Sequence, residues 1–329
     1  MIRCLAIGPL RLTPPLILAP MAGITDLAVR LLARENGAPL CFTEMISAQG
    51  LIRNGKNTVA LLRSSPRDRP LGIQLFGDDP CAIAESARIV EQSCDLIDIN
   101  MGCPVKKVVA GGAGSALLRE PAKVATIIRA ARNATRLPLT IKIRTGWSLN
   151  EPSFLEIGRI AESEGCDAVT LHPRTRAQMF ADHADWDRIA ELKAGIGIPV
   201  IGSGDLFSGR DVTDMFERTG CDGAMIARGA MGNPWIFRES AALLANDTPV
   251  PTGMDERCST ILRHLDYLCD LYGEKIAACE MRKHLSWYVK GLGGAARFRA
   301  LINTLTDKES LREAVYTFFD RAEREFDAE

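Results

Sequence analysis

Eight short apolar runs recur along this chain at intervals that leave room for a helix between most of them. That rhythm restricts the possible folds more than any other feature. The runs are LILA (16–19), LCFTEM (40–45), LGIQLF (71–76), DLIDI (95–99), LTIKI (139–143), DAVTL (167–171), IPVIG (198–202) and DGAMIA (222–227). Most are uninterrupted rather than alternating, as strands are when helices cover a parallel sheet. Eight of them with amphipathic segments between predict an α/β fold, an eight-stranded parallel (β/α)8 TIM barrel, in preference to an open doubly wound sheet. Covering helices are expected over 26–36, 80–91, 121–131, 153–164 and 210–218. Thr25 is placed to cap the first, and Gly37, Gly165 and Gly220 serve as left-handed terminators.

The rhythm stops near residue 245. NDTPVPTG (246–253) reads as a connection, and CSTILRHLDYLCDLYG and ACEMRKHLSWYVKGL follow with helical patterning and no regular strand between them. Residues 1–245 are therefore expected to form the barrel, and 246–329 a linker with a C-terminal all-helical domain. Apolar stretches break before the roughly 18 residues of a spanning helix, and the run in MIRCLAIGPLRLTPP is too short for a secretion signal. A soluble cytoplasmic chain is expected, with no membrane and no stable protein partner. Ten cysteines lie scattered with no CxxC pair, and there are only four histidines, so no metal site is expected. Five cysteines in apolar contexts, Cys41, Cys81, Cys166, Cys221 and Cys269, read as packing. Forty basic against 41 acidic residues leave a net charge of −1, so any nucleic-acid surface has to be local. The helical part interleaves Arg282, Lys283, Trp287, Tyr288, Lys290, Arg297 and Arg299, a pattern that suits a solvated helix face or an RNA backbone equally.

In such a barrel the strand C-termini converge on one face, where catalytic groups and phosphate sites gather. GSGD (202–205) and ARGAMGNPWIF (227–237) follow the last two strands. Their glycine turns can offer N–H groups to a phosphate and Arg228 a charge, or they are simply tight turns beside a surface arginine. Gln74 and Lys142 sit at strand ends, able to meet the polar edge of a planar heterocycle. Lys142 lies between two isoleucines and needs an anion, either an electron-rich ring such as a reduced flavin or a carboxylate such as Glu44. His172 can donate to a ring atom or phosphate, or be a satisfied structural histidine. Cys103 leaves the fourth strand after Asn100 and before Pro104. Its thiol can be a nucleophile, a metal ligand lacking partners, a general acid, or incidental.

Taken in order, the motifs resemble those of the tRNA-dihydrouridine synthases, in their bacterial branch. They are APMAGITD (19–26), FTEM (42–45), QLFG (74–77), DINMGCPVKKV (98–108), GSALL (114–118), IKIRTGW (141–147), HPRTRAQMF (172–180), GSGD, ARGAMGNPWIF and RKHLSWYVKG (282–291), spanning nearly the whole chain. Departures are Pro173 and Ala227, where the family more often has glycine, and GSGD, where NGD is frequent. The resemblance implies an FMN-dependent oxidoreductase that uses NADPH to reduce the C5–C6 double bond of specific uridines in tRNA. It places Pro20, Met21, Ala22, Gln74, Lys142, His172, Gly204, Asp205, Arg228 and Gly229 at the flavin. It makes Cys103 the proton donor to uracil C5 as hydride passes from flavin N5 to C6, sets Asn100 between flavin and base, and puts Arg144 and Arg174 in the active-site region. With tRNA as partner, Arg282, Lys283 and Arg299 become candidate substrate contacts, and the groove between barrel mouth and helical domain is expected to be basic. A flavin barrel acting on small molecules gives the helical domain less purpose. A noncatalytic RNA-binding protein leaves Cys103 and Lys142 unexplained.

Overall fold

A computed structural model of the protein describes residues 4–326; residues 1–3 and 327–329, the outer ends of the two expected domains, lie outside them. The chain opens with an antiparallel hairpin, β1 (Leu5–Ile7) and β2 (Leu10–Leu12), which the strand count from sequence omits. Then come β3 (Leu16–Leu18), β4 (Leu40–Phe42), the two-residue β5 (Ile46–Ser47), β6 (Leu71–Phe76), β7 (Leu96–Met101), β8 (Leu139–Arg144), β9 (Ala168–His172), β10 (Val200–Ser203) and β11 (Gly223–Ile226). All pairings in this set are parallel. β3 pairs with β4, β4 with β6, and each strand with the next up to β11, which returns to β3 and closes an eight-stranded barrel. The eight predicted runs are its eight principal strands, and β5 extends the edge of β6.

The outer ring holds α1 (Leu27–Glu35), α2 (Ala48–Ile52), α3 (Lys56–Ala60), α4 (Pro80–Val90), α5 (Lys106–Ala110), α6 (Pro121–Ala134), α7 (Phe154–Ser163), α8 (Asp187–Gly195), α9 (Gly209–Thr219) and α10 (Ile236–Leu244). α1 starts one residue later than a Thr25 cap requires. Its N-cap is Asp26, whose carboxylate accepts the N–H of Val29, while the buried Thr25 hydroxyl accepts the N–H of Met21 and ties the preceding loop. Gly37, Gly165 and Gly220 do take positive φ after their helices. Cys41, Cys166 and Cys221 are buried and Cys269 half-buried, but Cys81 is exposed. It occupies the second residue of α4, where its N–H is held by Asp79 and its side chain lies outside the apolar stripe.

Strand alternation sorts the barrel's side chains. Ile73, Ile97, Ile99, Ile141, Ile143, Val169 and Leu171 join the core under the helices. The opposite set fills the interior in layers. At the bottom Ile17, Leu40, Phe42, Leu96, Ala168, Ile201 and Met225 pack on Leu5, Ile7 and Leu12 of the hairpin, which plugs that end. Phe42 occupies the space a side chain at Gly72 would need: a Cβ there would lie 2.3 Å from its ring. Above this apolar floor the inward positions turn polar.

The chain then forms α11 (Met254–Tyr272), α12 (Glu274–Tyr288), α13 (Ala295–Ile302) and α14 (Lys308–Phe326), a helical bundle with its own core. That core takes in Ala28 of α1 and Trp235 from the barrel, so the bundle is docked rather than tethered. At the junction Gly232 approaches so closely that a Cβ would meet the backbone of Trp287 and Tyr288 at 2.5 and 2.6 Å. Among the described residues no helix is long and apolar enough to cross a membrane, and no group of three potential ligands could hold a metal ion.

Candidate active site

β7 delivers Asn100 into the barrel mouth and then breaks into the Cys103 loop. The side-chain oxygen of Asn100 accepts the N–H of Gly102 at 3.2 Å and of Cys103 at 2.9 Å, turning the chain sharply. From the other side Ser115 clamps the Cys103 carbonyl with its N–H at 3.1 Å and its hydroxyl at 2.9 Å. The glycines of VVAGGAGSALL permit that approach. Gly114 has φ +61°, and a Cβ on it would lie 2.7 Å from the Cys103 carbonyl oxygen. The Cys103 thiol is half-buried, and burial pushes its pKa up against the opposing pull of the Val105 N–H, Arg144 and Lys142. It rests protonated at neutral pH.

Lys142 lies beside Asn100 in strand register. Burial first, then the Arg144 charge, brings its ammonium down to about 8, although Asp98 and Cys103 favour the charged form. The carboxylate considered for it, Glu44, instead accepts the N–H of Gly23, and Lys142 makes no ion pair among the described residues. Gln74, buried on β6, donates to Asp98 and accepts from Asn100.

His172 closes β9 and packs under Gly204, whose φ of +113° and 3.1 Å spacing from a would-be Cβ to the imidazole Nδ1 leave room for no side chain. Burial and then Lys142, Arg144, Arg174 and Arg228 hold the imidazole well below the ordinary histidine range, so it is neutral. Asp205 gathers two arginines: Arg174 donates to both of its oxygens at 2.7 and 2.9 Å and Arg228 to one at 3.2 Å. Arg144 is likewise committed, to the carbonyls of Gly102, Thr175 and Met179, and burial and Arg174 bring it down to about 10. Arg144 thus ties the loop after β9 to the Cys103 loop, Arg174 ties that same loop to Asp205, and both charge the mouth. Gly229 packs so tightly that a Cβ would sit 2.0 Å from the Leu206 carbonyl oxygen. Pro20, Met21 and Ala22 line the β3 loop, the first two half-buried and the third exposed.

The structure brings Gln74, Asn100, Cys103, Lys142, Arg144, His172, Arg174, Gly204, Asp205 and Arg228 into one linked set at the strand C-termini. Of the helical-domain candidates, Lys283 reaches the barrel, donating to the Gly23 carbonyl at 2.7 Å. Arg282 donates within the bundle to Leu305, and Arg299 is half-buried on α13. Sequence reasoning passed over Asp98 and Thr140, although Asp98 lies two residues before Asn100 and must share its face of the strand.

Among the described residues, His172 Nε2 and Arg174 Nη1 are buried at this mouth without a hydrogen-bond partner. Together with the unpaired Lys142 ammonium they make a donor set that fits an anionic planar ring and a phosphate, as FMN would present.

Known proteins resemble this chain over nearly its whole length. The family model described as Dihydrouridine synthase (Dus) matches residues 17–323. The chain is 41% identical over 321 residues to tRNA-dihydrouridine synthase B of Pseudomonas aeruginosa, covering 97% of this chain and 96% of that one. It is 40% identical over 304 residues to a probable tRNA-dihydrouridine synthase of Treponema pallidum, covering 89% of each. Against a probable tRNA-dihydrouridine synthase of Rickettsia conorii it is 35% identical over 318 residues, covering 95% and 96%.

Proposed function

The chain belongs to the dihydrouridine synthase family, and from that premise we propose that it reduces the C5–C6 double bond of specific uridines in tRNA, with FMN as cofactor, NADPH as reductant and Cys103 as proton donor. The observation that carries the reading is a half-buried thiol fixed by Asn100 and Ser115 at a barrel mouth where Lys142, Arg144, Arg174 and Arg228 converge. Pro20, Met21, Ala22, Gln74, Lys142, His172, Gly204, Asp205, Arg228 and Gly229 would hold the flavin, which when bound supplies hydride to uracil C6.

Cys103 completes the addition: its S–H bond breaks as the new C5–H bond forms. Because burial disfavours the thiolate, the proton is retained until charge develops on the base. Arg144 and Lys142, both of which favour the thiolate, then stabilise the sulfur left behind until solvent reprotonates it. Asn100 fixes the Cys103 backbone through its side-chain oxygen while its NH2 donates to Gln74. Arg144 holds the Cys103 loop against the loop after β9, and Arg174 holds that loop against Asp205.

A stacked uracil cannot enter, so docking has to offset a flipping cost of a few kcal/mol. A cleft of about 570 Å³ between barrel, linker and bundle supports such docking, with Arg228, Arg238, Arg257, Lys290 and Trp287 among its lining residues. Arg282, Lys283 and Arg299 are proposed as further substrate contacts on α12 and α13, and the reaction is assigned to the cytoplasm.

The test is anaerobic reoxidation of the reduced enzyme by tRNA and by free uridine, with dihydrouridine measured by mass spectrometry. Equal turnover of both substrates sinks the tRNA reading. Cys103→Ala is expected to keep flavin binding and reduction by NADPH while losing roughly 10²-fold or more in tRNA reduction. Unchanged turnover would exclude the acid role.

A further inference from the structure

Below Cys103 the barrel interior holds a carboxylate with no part in the chemistry described so far. Asp98, on β7 and fully buried, accepts from the Thr140 hydroxyl at 2.6 Å through one oxygen and from the Gln74 amide N–H at 2.7 Å through the other. An ionised carboxylate is an acceptor only. Gln74 therefore has to turn its NH2 group downward, which leaves its carbonyl oxygen facing up, where it accepts from the Asn100 NH2 at 2.8 Å. Asn100 in turn is left with its own oxygen facing the loop, and that oxygen takes the N–H groups of Gly102 and Cys103. Each amide is asymmetric, so reversing either one sets donor against donor or acceptor against acceptor. The orientation of both amides and the seat of the Cys103 backbone are determined by the group at the foot of the series.

We propose that Asp98 is a positioning residue: as a buried acceptor-only anchor it sets the polarity of the Gln74–Asn100 amide relay and through it holds the Cys103 loop in place for proton delivery. This rests on the function proposed above. Burial raises the Asp98 carboxyl to about 6, while Thr140, Gln74 and Lys142 all favour the anion, so it remains predominantly an acceptor at neutral pH. The relay is also the reason an acid can persist among apolar strand residues, since both of its oxygens are satisfied.

The test compares four variants of the flavin-loaded enzyme by two readouts. One is the rate at which iodoacetamide alkylates Cys103, followed peptide by peptide because the chain has ten cysteines. The other is tRNA reduction per bound flavin. Asp98→Asn can keep the relay, with its carbonyl toward Gln74 and its NH2 toward the Thr140 hydroxyl, and Thr140→Val removes a donor without touching Gln74. Each is expected to stay within about twofold of wild type on both readouts. The double variant leaves the new NH2 with no acceptor on the Thr140 side, so either that group is orphaned or the amides reverse. It and the near-isosteric Asp98→Leu are expected to alkylate Cys103 at least about threefold faster and to reduce tRNA about tenfold more slowly.

The proposal is overturned if the double variant shows only the product of the two single effects, or if Thr140→Val alone speeds alkylation as much as Asp98→Leu, which would mark a general loosening. Should Asp98→Leu not fold, the double variant, which changes volume very little, decides alone. Failure of the functional reading shows separately: wild-type enzyme would not reduce tRNA uridine, while the alkylation pattern would still report on the relay.

Discussion

Replacing Lys142 with methionine should make the protein more stable and less useful. Lys142 alternates on β8 with two buried isoleucines that face the outer core, so it points into the barrel beside Asn100, with no ion-paired carboxylate among the described residues. Its proton affinity falls from the ordinary 10.5 to about 8, a difference worth about 3 kcal/mol against the folded state at neutral pH. The folded pKa lies below the unfolded one, so the penalty is fully present below about pH 8. It shrinks as pH rises from 8 toward 10.5, where the unfolded chain also becomes neutral. Methionine keeps the stem's contacts and drops the charge. Urea unfolding of flavin-free protein is therefore expected to show Lys142→Met about 2–3 kcal/mol more stable than wild type at pH 7, with the gap closing across that alkaline window. The same variant should lose flavin affinity, because the cost of burying the cation is offset only when an anionic ligand arrives. A stability gap independent of pH, or a less stable methionine variant at pH 7, would refute the reasoning.

Two further outcomes test the framework around the site. Arg30, buried in α1, donates to Asp68 through two nitrogens and to the carbonyls of Thr25 and Arg63; Arg30→Met leaves the fully buried Asp68 carboxylate only the Ser64 hydroxyl and Arg34 at 3.9 Å, and is expected to cost about 3 kcal/mol in chemical denaturation. Gly232→Ala drives a methyl into the α12 backbone and should part bundle from barrel, raising KM for tRNA at least about tenfold while reduction of the flavin by NADPH changes little, as stopped-flow absorbance would show.

The barrel could be read from the chain because its signals are local. DLIDI and LTIKI are long enough apolar runs to be strands whatever surrounds them, and Gly37, Gly165 and Gly220 mark helix ends through a conformation few other residues adopt. The cap on α1 shows the resolution limit: Thr25 and Asp26 are both good caps, and which one serves depends on the Met21 loop that recruits the Thr25 hydroxyl. Cys81 carried no signal separating a stripe position from an exposed one at a helix start.

The site divides along the same line. Which residue types stand at the strand ends, Cys103, Lys142 and His172 among them, was determined by the sequence alone, because alternation and turn chemistry operate over a few residues. Only the tertiary structure decided their partners: that Glu44 serves Gly23 rather than Lys142, that Arg174 grips Asp205, that Asp98 anchors Gln74 across β6 and β7, and that a hairpin plugs the floor. Those contacts join residues 21 to 31 positions apart, or lie across the barrel, and they exist only once strand register has brought particular atoms within hydrogen-bond reach.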